Sequence, residues 1–252
     1  MEQQQEQEKI PEIVHSSWHE YLQPLFDDSK MMRIKYGILT SNPFYPASKD
    51  IFKVFSMPLQ DIRVCILGQD PYPKGEGIGL AFAVNEDVPL PASLKVIHNE
   101  VFKIDAIAEG MSSLPLEEWK TLAHWTEQGV FLLNTALTVE AFKPGSHVGY
   151  WQWFTKEIVK IISKVAKPIW LLWGTKAQSF SYFIEDKEMV RRDVDIELNT
   201  GPMTNMVLEA SHPAAELYLK QSNRKGKTFT GCNHFQRCNT ILLSKRQKPI
   251  VW

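Results

Sequence analysis

Cysteine is scarce in this 252-residue chain, which has three, Cys65, Cys232 and Cys238. Three thiols are too few for a four-thiolate zinc or iron–sulfur site, and an odd, sparse count does not make a disulfide framework. They read as ordinary reduced cysteines. Long apolar runs are also missing, since none approaches the roughly 20 residues that a membrane-spanning helix needs. No membrane partner is therefore expected. The start of the chain, Met1 to Lys9, is rich in Gln and Glu. It has neither the basic start and apolar stretch of a secretion signal nor the Arg-rich character of a transit peptide. The resulting expectation is an intracellular, cytoplasmic protein, or a nuclear one if the cell is eukaryotic. Net charge is nearly absent too, at −1, so the global balance says nothing about an acidic partner.

What is present is a globular composition, with 44% hydrophobic and 23% charged residues and eight Trp and thirteen Phe for a core. The charge is unevenly spread. Residues 1–30 carry seven acids against two lysines, whereas residues 217–252 carry eight Lys or Arg and no acid. Such asymmetry suits a basic face that meets phosphates, although a solvated basic face without function has the same signature.

Residues 1–10 read as a disordered or loosely held tail. Strand signals follow as short apolar runs at Arg63–Leu67, Val130–Leu133, Ile169–Trp173 and Met206–Ala210. Continuous apolar runs fit strands buried on both faces, as in a parallel sheet. Between them, Ala92–Ala108 and Trp151–Val165 space their apolar residues by three and four, which predicts helices. Strand–helix alternation of this kind implies an α/β sandwich, whose ligand sites gather beyond the carboxyl ends of the strands.

Three segments at those ends contain chemistry. The first run leads into Gly68-Gln69-Asp70-Pro71-Tyr72-Pro73, where two prolines shape a loop around one carboxylate. Taken alone, an Asp-Pro is more often a turn former. The second run leads into Asn134-Thr135-Ala136. An Asn amide offers a donor and an acceptor together and can read a base edge, but Asn is also a common turn residue. The fourth leads into Ser211-His212-Pro213, where a His can donate to developing negative charge or be merely structural. Phe82 could stack on a ring or simply fill the core.

In sequence order these segments resemble the motifs of family 1 uracil-DNA glycosylases. Gly68-Gln69-Asp70-Pro71-Tyr72 resembles that family's water-activating motif, with Gly79-Leu80-Ala81-Phe82 close behind. Pro91-Ala92-Ser93-Leu94 is similar to its phosphate-pinching loop, and the stretch from Leu132 to Val139 to its uracil-reading motif. Ser211-His212-Pro213 opens the leucine-loop motif, and Gly231-Cys232-Asn233-His234-Phe235 follows it. The matches run from about residue 62 to 240.

The resemblance implies a three-layer α/β/α sandwich with a central four-stranded parallel sheet, and a single catalytic domain over residues 11–252 behind the tail. It implies an enzyme that flips uracil out of DNA and hydrolyses its N-glycosidic bond, leaving an abasic site and initiating base excision repair. Asp70 and His212 would be catalytic: ionised Asp70 stabilises the oxocarbenium-like sugar and orients water, and neutral His212 donates to uracil O2. Gln69, Tyr72, Phe82 and Asn134 would bind the base, Tyr72 by excluding a methyl group at C5. Ser93, Ser211, Leu217, Lys220, Arg224, Lys225 and Lys227 would contact DNA. No metal or cofactor is implied. The implied partners are uracil-containing single- and double-stranded DNA and a proteinaceous uracil-mimic inhibitor, with the chain a monomer.

The chain departs from the family pattern in places. Pro73 stands where His ordinarily follows the Tyr, and the glycine-rich stretch after it is one residue shorter. Ala214 replaces a phosphate-contacting Ser. Glu216 falls on the position of the leucine that wedges into the base stack, so either Leu217 or Tyr218 fills the gap or base extrusion is less assisted here. The longer basic stretch with Lys220, Arg224, Lys225 and Lys227 is expected to compensate in part by phosphate attraction. Two other readings remain open at this level: a uracil-DNA or polymerase-associated binding module that keeps the pocket without rapid turnover, and a relative that accepts other damaged pyrimidines or mismatches.

Overall fold

The computed structural model describes residues 8–40, 43–105, 118–191, 204–217 and 228–252. Helices α1 (His19–Phe26) and α2 (Ser29–Thr40) come first, followed by a two-residue strand β1 (Phe44–Tyr45). Strand β2 (Val64–Gly68) opens the central sheet, and α3 (Ala92–Asp105) crosses it. Single turns α4 (Glu118–Thr121) and α5 (Ala123–Thr126) lead into β3 (Val130–Asn134), and β4 (Val139–Glu140) pairs antiparallel with β1. The long helix α6 (Val148–Val165) precedes β5 (Ile169–Trp173) and the turn α7 (Thr175–Gln178). Strands β6 (Lys187–Met189) and β7 (Asn205–Ala210) and helix α8 (His234–Ser244) complete the order.

The apolar runs form strands because nearly all of their residues can be buried, the half-buried Arg63 and Glu209 excepted. All five positions of β2, β3 and β5 are buried. Alternation then divides each strand between two cores. Cys65 and Leu67 face one core with Phe131, Leu133, Trp170 and Leu172, under α1, α2 and α6. Val64 and Ile66 face the other with Val130, Leu132, Ile169 and Leu171, under α3 and α8. Three layers follow from this two-sided burial.

The sheet differs from the expected four strands. It has five among the described residues, in the order β3-β2-β5-β7-β6, and each neighbouring pair is parallel. The additional strand, β6, is three residues long and exposed throughout, so it lacks the apolar run that marks the others. Boundaries shift as well. Helix α6 begins at Val148, three residues before Trp151, and Asn134 is the last residue of β3 rather than the first beyond it. Of the predicted 92–108 helix, residues 106–108 lie outside the described residues.

Part of the N-terminal segment is tied to the body. The Glu8 N–H donates to Asp27 at 3.1 Å, Gln23 donates to the Glu8 carbonyl at 2.9 Å, and Lys35 pairs with the Glu8 carboxylate. Residues 1–7 of the expected tail lie outside the described residues.

Candidate active site

Parallel pairing brings the chemistry together. Gly68 lies opposite Asn134 in the β2–β3 register, and β5 and β7 run alongside to Gly174 and Ser211. Beyond these carboxyl ends opens a cavity of about 230 Å³, lined by Gly68 to Pro73, Leu80, Phe82, Ser93, Asn134 and His212. The candidate residues Gln69, Asp70, Tyr72, Phe82, Ser93, Asn134 and His212 therefore share one space.

Asp70 is fixed by its neighbours. The Gln69 side-chain amide donates to Oδ1 at 3.1 Å, and the Gly145 N–H donates to Oδ2. Burial raises the carboxyl above its ordinary 3.8, while these two donors pull it back down by favouring the ionised form. The turn carrying it is clamped to the end of β3. The Thr135 N–H donates to the Gly68 carbonyl, and the Ala136 N–H and Thr135 Oγ1 both donate to the Gln69 carbonyl.

Asn134 is buried, and its amide lies directly over Gly68. A β-carbon at Gly68 would stand 2.4 Å from Asn134 Oδ1 and 2.9 Å from Ala81. Only glycine leaves room for the amide there.

The His212 imidazole accepts the Ala214 N–H at Nδ1, 3.1 Å away. A neutral ring with Nδ1 as acceptor carries its proton on Nε2. Burial lowers the His212 pKa below its ordinary 6.5, which keeps the ring neutral. Gly174, at φ +90°, packs against it so closely that a β-carbon would stand 2.9 Å from His212 Cβ. Phe82 completes the wall in a left-handed backbone conformation (φ +65°), its ring 5.9 Å from His212 and 5.5 Å from Trp173. Trp173 is itself held by donation to His234 at 3.0 Å.

Tyr72 is anchored through its hydroxyl, 2.8 Å from Ser93 Oγ and 3.4 Å from the Phe82 carbonyl. Burial pushes its phenol up to about 12, so it stays protonated. Ser93, expected as a phosphate contact, is buried at the start of α3 and is hydrogen-bonded to Tyr72.

Other expected contacts lie farther out. Ser211 follows β7 directly and is half-buried, and Leu217 ends a short 3-10 turn, Pro213–Leu217. Tyr218, Lys220, Arg224, Lys225 and Lys227 lie outside the described residues. Sequence reasoning missed Gly145, Gly174 and Trp173, which act on the site through a backbone N–H, a missing β-carbon and a supporting ring. It also missed the network behind the Gly145 loop. There Trp151 donates to Thr138 Oγ1 at 2.7 Å, and that hydroxyl meets His147 Nδ1 at 2.9 Å. The one signal available was Gly145-Ser146-His147, a polar and glycine-containing entry to α6.

Comparison with known proteins places the chain in a family. Residues 56–243 match the model of the uracil DNA glycosylase superfamily. The chain is 34% identical over 247 residues to the uracil-DNA glycosylase of Saimiriine herpesvirus 2, spanning 95% of this chain and 89% of that protein. It is 37% identical over 250 residues to that of Borreliella burgdorferi, spanning 94% and 97%. Among solved structures, the mimivirus uracil-DNA glycosylase has a similar fold, with a TM-score of 0.74 and 23% identity over 95% of this chain and 87% of that one. A mimivirus UNG variant in complex with UGI superposes with a TM-score of 0.75 at 23% identity, covering 95% and 89%.

Proposed function

The chain belongs to the uracil DNA glycosylase superfamily, and on that premise we propose that it is a family 1 enzyme whose reaction is run by Asp70 and His212. It is a uracil-DNA glycosylase, a monofunctional hydrolase of the N-glycosidic bond that leaves an abasic site for base excision repair. The observation that carries the assignment of residues is the cavity itself, which gathers a hydrogen-bonded carboxylate, a neutral imidazole, an amide and an aromatic wall. At about 230 Å³ it is smaller than pockets for drug-sized ligands and suits one planar base.

The mechanism follows from the charges the reaction makes. As the C–N bond breaks, the sugar becomes positive and uracil O2 negative. Asp70, ionised with the help of Gln69 and Gly145, faces the sugar and orients the attacking water. His212, with its proton on Nε2, donates to O2 without itself being charged. Donor and carboxylate are both in place before the substrate arrives, so little reorganisation is needed. Phe82 stacks on the extruded ring and the Asn134 amide pairs with N3–H and O4, a pattern that cytosine reverses. Tyr72, pinned by Ser93, stands against C5.

The partners are uracil-containing single- and double-stranded DNA. A protein inhibitor is also proposed, on the ground that a mimivirus UNG of similar fold is solved in complex with UGI. The test is incubation of the protein with a uracil-containing oligonucleotide and chromatography of the products. Free uracil and an intact strand bearing an abasic site are expected. Binding without release would make the chain a binding module, and strand cleavage at the abasic site would overturn the monofunctional assignment.

A further inference from the structure

Phe142 is 72% exposed, although it lies in a loop that touches the cavity at two points. Its own N–H donates to the Pro73 carbonyl at 2.8 Å, and Pro73 lines the cavity. Three residues later, the Gly145 N–H reaches Asp70. The loop is stiff. Ala141 donates to Pro43 at 2.9 Å, Lys143 to Glu140 at 3.1 Å, and Glu140 to Ser146 Oγ at 2.9 Å.

Its backbone is also strained at the phenylalanine, which sits at φ +62°. That left-handed region is unfavourable for a residue with a side chain, and glycine escapes the penalty. A scattered exposed Phe needs no explanation. Here, though, a braced loop holds a non-glycine residue in an unfavourable conformation and thereby presents an aromatic face to solvent beside the site. Exposed Lys74 and Lys143 flank it, and Lys143 also reaches Glu140 at 2.6 Å. Aromatic faces interleaved with cations are how proteins hold single-stranded nucleic acid.

We propose that Phe142 is a stacking platform for an unpaired base next to the extruded uracil, favouring single-stranded over duplex DNA. This rests on the glycosylase reading of the same cavity. Paired bases keep their faces covered within the stack, so a duplex gains little from Phe142.

The test compares the wild type with Phe142→Gly and Phe142→Trp in binding to one uracil-free oligonucleotide, as a single strand and as a duplex. Phe142→Gly is expected to weaken single-strand binding roughly five- to tenfold and duplex binding less than about twofold. Its Tm should be no lower than that of the wild type, because glycine relieves the strain. Phe142→Trp should keep the affinity. In an oligonucleotide carrying 2-aminopurine beside a uracil analogue that resists cleavage, wild type should quench the fluorescence and Phe142→Gly should not. Wild-type single-strand affinity in Phe142→Gly would overturn the proposal, as would equal losses in the two variants or a fall in Tm with equal losses on both DNA forms. Failure of the glycosylase reading would show separately, as wild type that releases no uracil, because the binding assay involves no turnover.

Discussion

The acid end of the site, behind β2, is tied down by hydrogen bonds, whereas the imidazole end, behind β7, is held chiefly by shape. Gln69 and Gly145 both donate to Asp70, and its turn is clamped by Thr135 and Ala136. His212 takes one backbone N–H at Nδ1 and is otherwise fitted between Gly174 and Phe82. The same burial acts on both groups and drives both toward their neutral forms. For the imidazole that is the useful form, so burial and a close fit suffice. For the carboxylate it is the wrong form, so donors must be spent to oppose it. Two groups a few residues beyond parallel strands thus need opposite treatment, and the protein supplies it with different local chemistry.

The largest effect is expected at the acid itself. Asp70→Asn removes the charge proposed to face the sugar and should lower kcat for uracil release roughly 10²–10⁴-fold. His212→Ala removes one preorganised donor and should cost about 10²–10³-fold in kcat. If both variants release uracil at the wild-type rate, the assignment of the pair is wrong.

Gly174→Ala probes the claim that shape holds the imidazole. The added β-carbon collides with His212 and forces a side chain onto a φ of +90°, so kcat should fall roughly ten- to a hundredfold. A variant as active as wild type would show that the ring tolerates displacement. The smallest effect is expected from Gln69→Leu, which removes a donor to Asp70, about three- to tenfold in kcat at neutral pH. Its more specific sign is in the pH profile. Activity requires the carboxylate and is lost as pH falls through the Asp70 pKa. Gln69 lowers that pKa, so the variant should lose activity at a higher pH than wild type. An acid limb that stays in place would mean that Gln69 does not tune the acid.

How much of this was legible in the sequence depends on whether a feature has an apolar or a polar signature. Strands β2, β3 and β5 are readable because each carries an uninterrupted run of four or more apolar residues buried on both faces, and β7 because Met206–Leu208 and Ala210 form a similar run that half-buried Glu209 interrupts. Strand β6, all exposed, offers no such pattern and was missed. Asp70, Asn134 and His212 could be singled out because each sits at the end of a legible strand. Their gathering on one cavity follows from the strand order, which local patterns do not encode. Gly145 and Gly174 contribute an N–H and a missing atom, and neither announces itself in a residue type. The acid–amide–imidazole set was therefore readable one member at a time, while the groups that hold it were not.

The hydrogen bond between Tyr72 and Ser93 couples two proposed roles, base selection and backbone contact. The residue proposed to stand against C5 is moored to the residue at the start of α3 that would meet the strand's phosphates. Any phosphate drawn to Ser93 must share or take the hydroxyl that steadies Tyr72. A library built to widen the base selectivity of this protein at Tyr72 would accordingly alter its grip on the backbone, and substitutions at the two positions should combine non-additively.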